Sequence, residues 1–482
     1  MKDKIKLSAN VLFSGIGCQE RGILNTDLFD LQVNCTSDIY KEAVVSYAVI
    51  HCGLTNEMIE NCKNYPSREQ MAQELTDINL GYIPEKDKHY DWFKLAKRKK
   101  KDLEKFWLAN KLSKNLGDIN KIEKLPYADF WTCSAPCTDI SICGKMKSLS
   151  PNSGTRSSLL WQQIRLLKMA KENGTLPKYI LFENVKNLVS KKFINDFNSL
   201  LEILDEIGFN TYWKVLNAKN CGVPQNRKRV FVVCIRKDID FGKFEFPKSF
   251  NSGLRLRDLL EKDVDVKYFL NNTIQERLQI SGKTLTKDVI GTTKPTFRSI
   301  GQRDLGYNPK GIIGALLTSD RKQPKQILVQ KQTAHRKNLE KQYSKFIEDS
   351  DGECCGVNCN NSAKFGYKPP LKGVSRTITT QGKNGVVENY AVRKLTPTEC
   401  LKLMGFNDDD CCKLKSIGMS DTQLYKQAGN GIVTNCIKLI FEHLYKAMYD
   451  ENYVCEDEMY INEDNINNKC IQAGNLSGGK MG

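Results

Sequence analysis

The chain has 482 residues, of which 40% are hydrophobic, so it is long enough for two or three folded domains with a sizeable core. Lysine and arginine number 73 against 56 acidic residues, and the net charge of +17 favours a polyanionic partner such as nucleic acid, although a lysine-rich codon bias would give the same excess. The N-terminus lacks the apolar segment of a signal peptide, and no stretch approaches the roughly 20 apolar residues that span a bilayer. We therefore predict a cytoplasmic protein without membrane contact whose 18 cysteines are thiols.

The first elements alternate between strand and helix. "NVLFS" at residues 10–14 is typical of a short buried strand, and the glycine turn "GIG" follows before a helix that starts at Cys18. A second strand, "LQVNCTSD", ends at Asp38, and the helix "YKEAVVSYAVIH" comes next. A strand, a glycine turn, a helix and a strand that ends in an acid together predict the opening of an α/β nucleotide-binding unit.

The same alternation continues to residue 240. Four more strands are predicted at "ADFWTCS", "KYILFEN", "TYWKVLN" and "RVFVVCIR", and two amphipathic helices that each end in glycine separate the first three of them. Alternating strands and helices predict the α/β class, with a doubly wound, mostly parallel sheet.

Two regions interrupt this pattern. Residues 54–114 are helical and strongly charged, and we interpret them as an inserted helical arm. Residues 241–391 lose the helical periodicity and are rich in Gly, Thr, Asn and basic residues, which predicts a smaller, irregular, strand-rich second domain. Residues 392–449 return to helix and are expected to rejoin the first domain, 1–240, whereas 450–482 form an acidic tail that we expect to be flexible.

The arm carries an aromatic stripe, because Leu103, Phe106, Trp107 and Asn110 fall on one helical face. Packing of this face against the rest of the protein is the favoured interpretation, and a dedicated nucleic-acid contact is the alternative.

The glycine turn and Asp38 predict a nucleoside site. Glycine lets the backbone approach a ligand closely, and an acid at the end of the second strand can bind ribose hydroxyls. The turn departs from the G-x-G-x-x-G spacing of dinucleotide enzymes, since the next glycine is Gly22, so a ligand without a pyrophosphate fits better. Asp118, in "GDI", could supply a carboxylate to an adenine amino group.

A second group of polar residues lies at strand ends. Cys137 follows "SAP" after one strand, and Glu183 and Asn184 end another. Because parallel strands of a doubly wound sheet end at the same edge, a thiol and a carboxyl can share one pocket there. Arg227 and Arg229 alternate at the start of a further strand, which predicts two guanidinium groups on one face that clamp an anion or polarise a thiolate and a carbonyl.

Taken in order, "FSGIG", "SAPC", "TRSSLLW", "FENV", "QNRKR", "LTPTECLKLMGF" and "QAGNGIV" resemble the motifs of the DNA cytosine-5 methyltransferases of bacterial or phage type. This resemblance implies a Rossmann-like class I methyltransferase domain, with a target-recognition domain at 241–391. It also implies a DNA (cytosine-5)-methyltransferase that uses S-adenosyl-L-methionine and acts on double-stranded DNA.

By the same resemblance, Cys137 attacks C6 of a cytosine flipped out of the duplex, Glu183 hydrogen-bonds N3, and Arg229, with Arg227 and Asn184, completes the catalytic group. Further residues are implied in cofactor binding: Phe13, Ser14, Gly15, Ile16, Gly17, Asp38, Ile39, Asp118, Ile119, Pro136, Asn430 and Gly431. A third set is implied in DNA binding: Ser141, Gly144, Arg156, Gln225, Arg376, Thr377, Thr379 and Thr380. The segment from Ser141 to Arg156 is expected to close over the flipped base.

Three features differ from the family pattern: Thr138 stands where a glutamine is usual, the second motif reads "SDIYKEA" where the family usually has Glu followed two residues later by Asp, and the arm at 54–114 is long. The ribose contact is therefore placed on Asp38. The alternatives are the RNA-modifying branch of the family, a non-catalytic nucleic-acid-binding protein and an NAD oxidoreductase. A cognate restriction endonuclease is a candidate partner, and we expect a monomer. No metal site is predicted, because the cysteine clusters at 354–359 and 411–412 lack ligand spacing.

Overall fold

The computed structural model describes residues 3–83, 88–136, 159–268, 289–292, 305–321, 325–330, 355–358, 371–372, 384–387 and 390–454. It divides into two compact units: the first comprises Met1–Leu254, Gly314–Lys322 and Pro397–Gly482, and the second comprises Arg255–Ile313 and Gln323–Thr396. The predicted second domain, 241–391, overlaps the second unit, but the residues before Arg255 and the segment Gly314–Lys322 belong to the first. Most of the predicted acidic tail lies outside the described residues.

A six-stranded sheet forms the centre of the first unit. Its strands are β1 (Ile5–Leu12), β2 (Phe29–Ser37), β3 (Phe130–Cys133), β4 (Tyr179–Val185), β5 (Phe209–Asn217) and β7 (Lys228–Arg236). The short β6 (Gln225–Asn226), which precedes β7 in the chain, belongs to a separate two-stranded sheet. The strand order in the sheet is β2-β1-β3-β4-β7-β5. Neighbours from β2 to β4 are parallel, whereas β7 is antiparallel to both β4 and β5. The prediction of an α/β, mostly parallel sheet is confirmed.

The described part of the first unit also contains helices. They are α1 (Cys18–Leu24), α2 (Lys41–His51), α3 (Asn56–Asn61), α4 (Arg68–Asp77), α5 (Trp92–Arg98), α6 (Lys100–Leu112), α7 (Leu159–Glu172), α8 (Ile194–Ile207), α9 (Pro397–Lys402), α10 (Asp408–Ser416), α11 (Asp421–Asn430) and α12 (Thr434–Tyr449). Gly208 ends α8 with a φ of 125°, as the sequence predicts. Among the described residues, none of the helices has the length and apolar character needed to cross a membrane.

The core lies between the sheet and the helices. Every residue of β4 is buried, as expected for a central strand that is covered on both faces. On α8, Phe197, Leu200 and Leu204 recur at helical spacing and are at most 2% exposed, because this face packs onto the sheet. Burial of such side chains stabilises the fold by roughly 1.5–3 kcal/mol each.

The inserted arm, 54–114, is helical, with α3 to α6 inside it. Trp92 and Leu103 are fully buried, and the Trp92 and Phe106 rings meet edge to face at 5.3 Å. Trp107 donates its Nε1–H to Glu74 at 2.7 Å. The aromatic stripe of α6 is therefore a packing surface, which agrees with the favoured interpretation.

The described residues of the second unit form mainly short strands. They are β8 (Val289–Thr292), β9 (Leu305–Tyr307), β11 (Gln326–Gln330), β12 (Cys355–Asn358), β13 (Leu371–Lys372), β14 (Asn384–Val387) and β15 (Tyr390–Lys394). In the chain, β10 (Ile313–Gly314) contains the last residue of Arg255–Ile313 and the first residue of Gly314–Lys322. One sheet has the order β15-β11-β9-β8 and another the order β13-β12-β14.

Candidate active site

The turn after β1 has an unusual backbone. Phe13, Gly15 and Gly17 have φ angles of 56°, 55° and 78°, in the left-handed region. For Phe13 this conformation is strained, and such strain occurs preferentially at functional sites. Gly17 also has no room for a side chain, because a Cβ would lie 2.1 Å from Nε2 of His51. Between them, Ser14 and Ile16 are buried.

Asp38 faces this turn. The Gly15 N–H donates to its Oδ2 at 2.8 Å, and the Tyr40 N–H donates to its Oδ1 at 2.6 Å. Removal from water raises the pKa of the Asp38 carboxyl, although these amide hydrogen bonds oppose the rise. The two donors fix the carboxylate beside the glycine turn, where its remaining lone pairs can accept ribose hydroxyls.

Asp118 is a second fixed carboxylate. It is 8% exposed and caps the short 3-10 helix Ile119–Lys121. Its Oδ1 accepts from the backbone N–H of Asn120 at 3.0 Å and from Nδ2 of Asn120 at 2.8 Å, while its Oδ2 accepts from Nδ2 of Asn79 at 2.9 Å. Ile119 is buried and Ile39 is half-buried. Of these two predicted cofactor contacts, Ile39 is the more accessible.

The segment after β3 is tied to α1 and β4. Ser134 accepts a hydrogen bond from Nε2 of Gln19 at 2.9 Å, and the Ala135 carbonyl accepts a long one from Nδ2 of Asn184 at 3.5 Å. Pro136 is half-buried. The residues that follow begin with the predicted nucleophile, and five positions of interest lie outside the described residues: Cys137, Thr138, Ser141, Gly144 and Arg156.

Glu183 and Arg229 form an ion pair at the end of β4. Arg229 Nε lies 3.1 Å from Glu183 Oε1, and the side chains are 17% and 10% exposed. The antiparallel direction of β7 brings them together, because Val185 pairs with Arg229 at the edge where β4 ends and β7 begins. Burial raises the pKa of the Glu183 carboxyl, and the guanidinium groups of Arg229 and Arg227 oppose that rise.

Arg227 has a different environment from Arg229. It is 3% exposed, and it donates to the carbonyls of Leu316 at 2.8 Å, Gly429 at 3.2 Å and Gly431 at 2.6 Å. Through these contacts Arg227 holds three backbone segments together, which is a structural role. Its catalytic role stays a prediction.

Gln225, predicted to contact DNA, is fully buried. Its Nε2 donates to the Leu403 carbonyl at 3.0 Å and its Oε1 accepts from the Leu316 N–H at 3.4 Å. This geometry does not support a DNA contact, because both ends of the amide are occupied inside the first unit.

The last motif packs against the first. Asn430 ends α11, is exposed, and accepts a hydrogen bond from the Thr318 hydroxyl. A Cβ on Gly431 would lie 3.0 Å from Sγ of Cys18 on α1. The described residues thus bring Asn430 and Gly431 close to the glycine turn of the nucleoside site.

Sequence reasoning missed three residues that contact the site: Gln19, Asn79 and Thr318. Only Asn79 carried a signal, since asparagine tolerates the left-handed backbone that it adopts here, with a φ of 56°. The predicted DNA contacts Arg376, Thr377, Thr379 and Thr380 lie outside the described residues.

Comparison with known proteins matches the chain to a family of DNA methylases and to named methyltransferases. A family model described as C-5 cytosine-specific DNA methylase matches residues 93–446. The type II methyltransferase M2.ScrFI of Lactococcus lactis subsp. cremoris is 32% identical over 439 residues, covering 90% of this chain and 98% of that protein. The orphan methyltransferase M.SPRI of Bacillus phage SPR is 30% identical over 387 residues, covering 68% of this chain and 86% of that protein.

A solved structure shares the fold. The structure of the Entamoeba histolytica methyltransferase EhMeth aligns with 92% of this chain and 99% of its own length, with a TM-score of 0.50 at 14% sequence identity. At 14% sequence identity, this similarity shows a shared fold and nothing further.

Proposed function

The chain belongs to the C-5 cytosine-specific DNA methylases, and we propose that it transfers a methyl group from S-adenosyl-L-methionine to C5 of a cytosine flipped out of double-stranded DNA, within a specific short sequence. The proposed reaction proceeds through a covalent bond between Cys137 Sγ and C6 of the base. We also propose that the protein acts as a monomer in the cytoplasm, and a cognate restriction endonuclease stays a predicted partner.

The nucleoside site suits S-adenosylmethionine. Asp38 would accept the ribose hydroxyls and Asp118 the adenine amino group, and no phosphate needs to be bound. The dinucleotide spacing would place a third glycine at residue 20, where this chain has Glu20. The next glycine, Gly22, packs α1 on α12, because a Cβ there would lie 2.5 Å from Cβ of Ile437. The absence of the third glycine supports a nucleoside over a dinucleotide.

The proposed chemistry begins with addition to the pyrimidine ring. The Cys137 thiolate forms a bond to C6, and the electron pair of the C5–C6 double bond makes C5 nucleophilic. When bound, S-adenosylmethionine supplies the methyl group that C5 takes. Water then takes the C5 proton, the electron pair of the C5–H bond restores the C5–C6 double bond, and the Sγ–C6 bond breaks with its electron pair on sulfur, which regenerates the Cys137 thiolate.

Glu183 would assist this addition at N3. As the thiolate adds to C6, negative charge develops over N3 and the carbonyl oxygen at C2, and a protonated carboxyl can donate a hydrogen bond to N3. Arg229, beside Glu183, would position the ring. The observation that carries the proposal is the ion pair between Glu183 and Arg229 at the edge where β3 also ends. Glu183 is buried, which raises the pKa of its carboxyl, and Arg229 is half-buried.

Base-resolution bisulfite sequencing tests the proposal. Unmethylated plasmid is incubated with purified protein and S-adenosylmethionine, and a Cys137→Ala preparation serves as the control. Protection of cytosines within one recurring short sequence, lost in the variant, is the expected result. No protection by a protein that binds the cofactor would overturn the DNA assignment and favour the RNA-modifying or the non-catalytic alternative.

A further inference from the structure

The inserted arm reaches the nucleoside site through the turn after α4, residues 78–81. Here we propose that Asn79 is a positioning residue for the adenine ring of the cofactor, acting through Asp118. This inference rests on the proposed function, since it requires that Asp118 accept the adenine amino group. It gives the insertion at 54–114 a role in cofactor recognition.

Three contacts join this turn to the segment around Asp118. Asn79 donates from Nδ2 to Asp118 Oδ2 at 2.9 Å, and the Asp118 N–H donates to the Ile78 carbonyl at 3.0 Å. Gly117 has a φ of 74°, and a Cβ on it would lie 2.1 Å from the Ile78 carbonyl oxygen. The turn and the segment therefore approach each other so closely that residue 117 must lack a side chain.

The same turn also contacts the other side of the site. The Gly81 N–H donates to the carbonyl of Ile39, the residue after Asp38, at 2.7 Å. Within the turn, the Leu80 carbonyl accepts from Nε1 of Trp92 at 2.8 Å, and Trp92 is fully buried. A turn held by a buried tryptophan thus connects the segments that carry the two predicted cofactor carboxylates.

The side chain of Asn79 is suited to orienting Asp118. Asp118 Oδ1 is already held by two donors from Asn120, and Asn79 supplies the donor to Oδ2, so the carboxylate has one orientation. Oδ2 keeps a second lone pair, which the adenine amino group can use. Because Asp118 is 8% exposed, water is a poor substitute for the amide, and without Asn79 the carboxylate is expected to lose its orientation.

The test measures binding of S-adenosylhomocysteine, by calorimetry, to the full-length protein and to Asn79→Gly. Glycine adopts the left-handed backbone of residue 79 without strain, so the variant removes the amide and leaves the turn. Asp27→Gly is the matched control, because Asp27 has a φ of 60° and lies on the surface beside Lys4. We expect Asn79→Gly to weaken binding about tenfold, in line with loss of a hydrogen bond to a charged group, and Asp27→Gly to leave it unchanged.

A second ligand separates positioning from general structural damage. An analogue of S-adenosylhomocysteine that lacks the 6-amino group cannot donate to Asp118, so wild type and Asn79→Gly should bind it equally. Equal weakening for both ligands, or a matching loss in Asp27→Gly, would overturn the role of Asn79. Asn79→Asp, which sets a second carboxylate against Asp118, should bind S-adenosylhomocysteine no better than Asn79→Gly, and wild-type affinity there would also overturn it. Failure of the wild type to bind either ligand would instead count against the proposed cofactor site.

Discussion

The Arg229→Met variant tests how the ion pair at the end of β4 controls Glu183. Two opposing effects act on the carboxyl: burial raises its pKa, and the neighbouring guanidinium groups lower it. Methionine keeps most of the bulk of the arginine stem but removes the charge that lies 3.1 Å from Oε1. The pKa of Glu183 should therefore rise further in the variant.

The size of the effect follows from the contact. Two unit charges about 4 Å apart interact by about 4 kcal/mol at an effective dielectric constant of about 20, and adjacent opposite charges move a carboxyl pKa by about 1–3 units. Arg227 also lowers the pKa of Glu183 and remains in the variant. We therefore expect a displacement toward the lower end of that range, about one pH unit or more.

The assay is the pH dependence of kcat/KM for methyl transfer to DNA. If protonated Glu183 donates to N3, activity falls as the pH rises through its pKa, so the descending limb should move to higher pH in Arg229→Met. The position of this limb is separate from the lower maximal rate that loss of ring positioning would cause. Lys228→Met is the control, because alternation along β7 directs residue 228 to the opposite face of the sheet. A limb that stays in place, or moves to lower pH, would refute the assignment of Glu183 as the proton donor.

Three further predictions concern individual residues. Cys137→Ala should keep S-adenosylmethionine affinity and abolish methyl transfer, and turnover by this variant in a radiolabelled-methyl assay would contradict the nucleophile assignment. Glu183→Gln should lower kcat severely with DNA affinity kept, as measured by filter binding beside single-turnover kinetics; the reverse pattern would contradict its role. Glu20 on α1 is 1% exposed, and burial raises its pKa from 4.5 to about 7. The free energy of unfolding is therefore unaffected by this carboxyl below pH 4.5, where it is protonated in both states, and it falls as the pH rises through about 7. In urea unfolding, the free energy of unfolding of Glu20→Gln relative to wild type should therefore be up to about 3 kcal/mol larger at pH 8 than at pH 5. The same pH dependence in variant and wild type would exclude this burial effect.

The sequence was sufficient to predict the six strands of the central sheet and the helices α1, α2, α7 and α8 of the first unit. β4, with seven buried residues, has the continuous apolar run of a central strand, and the helices have the spacing that covers it. The direction of β7 was not predicted, although the chain carries a signal for it. The connection from Asn217 to Lys228 contains no α-helix, and a parallel return to a neighbouring strand requires a crossover of a dozen or more residues, usually through a helix.

The site was harder to predict than the sheet, because alternation along a strand does not extend into a turn. Arg227 and Arg229 are two apart, which predicts a shared face, but Arg227 precedes β7 in a tight turn in which its N–H donates to the Gln225 carbonyl at 3.1 Å. Its guanidinium therefore points into the core, while Arg229 faces Glu183. Similarly, no local pattern could show that Asn79, from the insertion, contacts Asp118.

Segments far apart in the chain fix the geometry of the candidate site. Arg227 joins the start of β7 to the carbonyls of Gly429 and Gly431, and Gly431 in turn packs on Cys18 at the start of α1. The strand that carries Arg229 and the helix after the glycine turn are thus held by the same C-terminal segment. Catalytic groups need placement to within about 0.5 Å. These contacts of the C-terminal segment explain how residues before 20, near 230 and after 428 can form one site. Nothing in the sequence near any of these residues encodes the distance to the others.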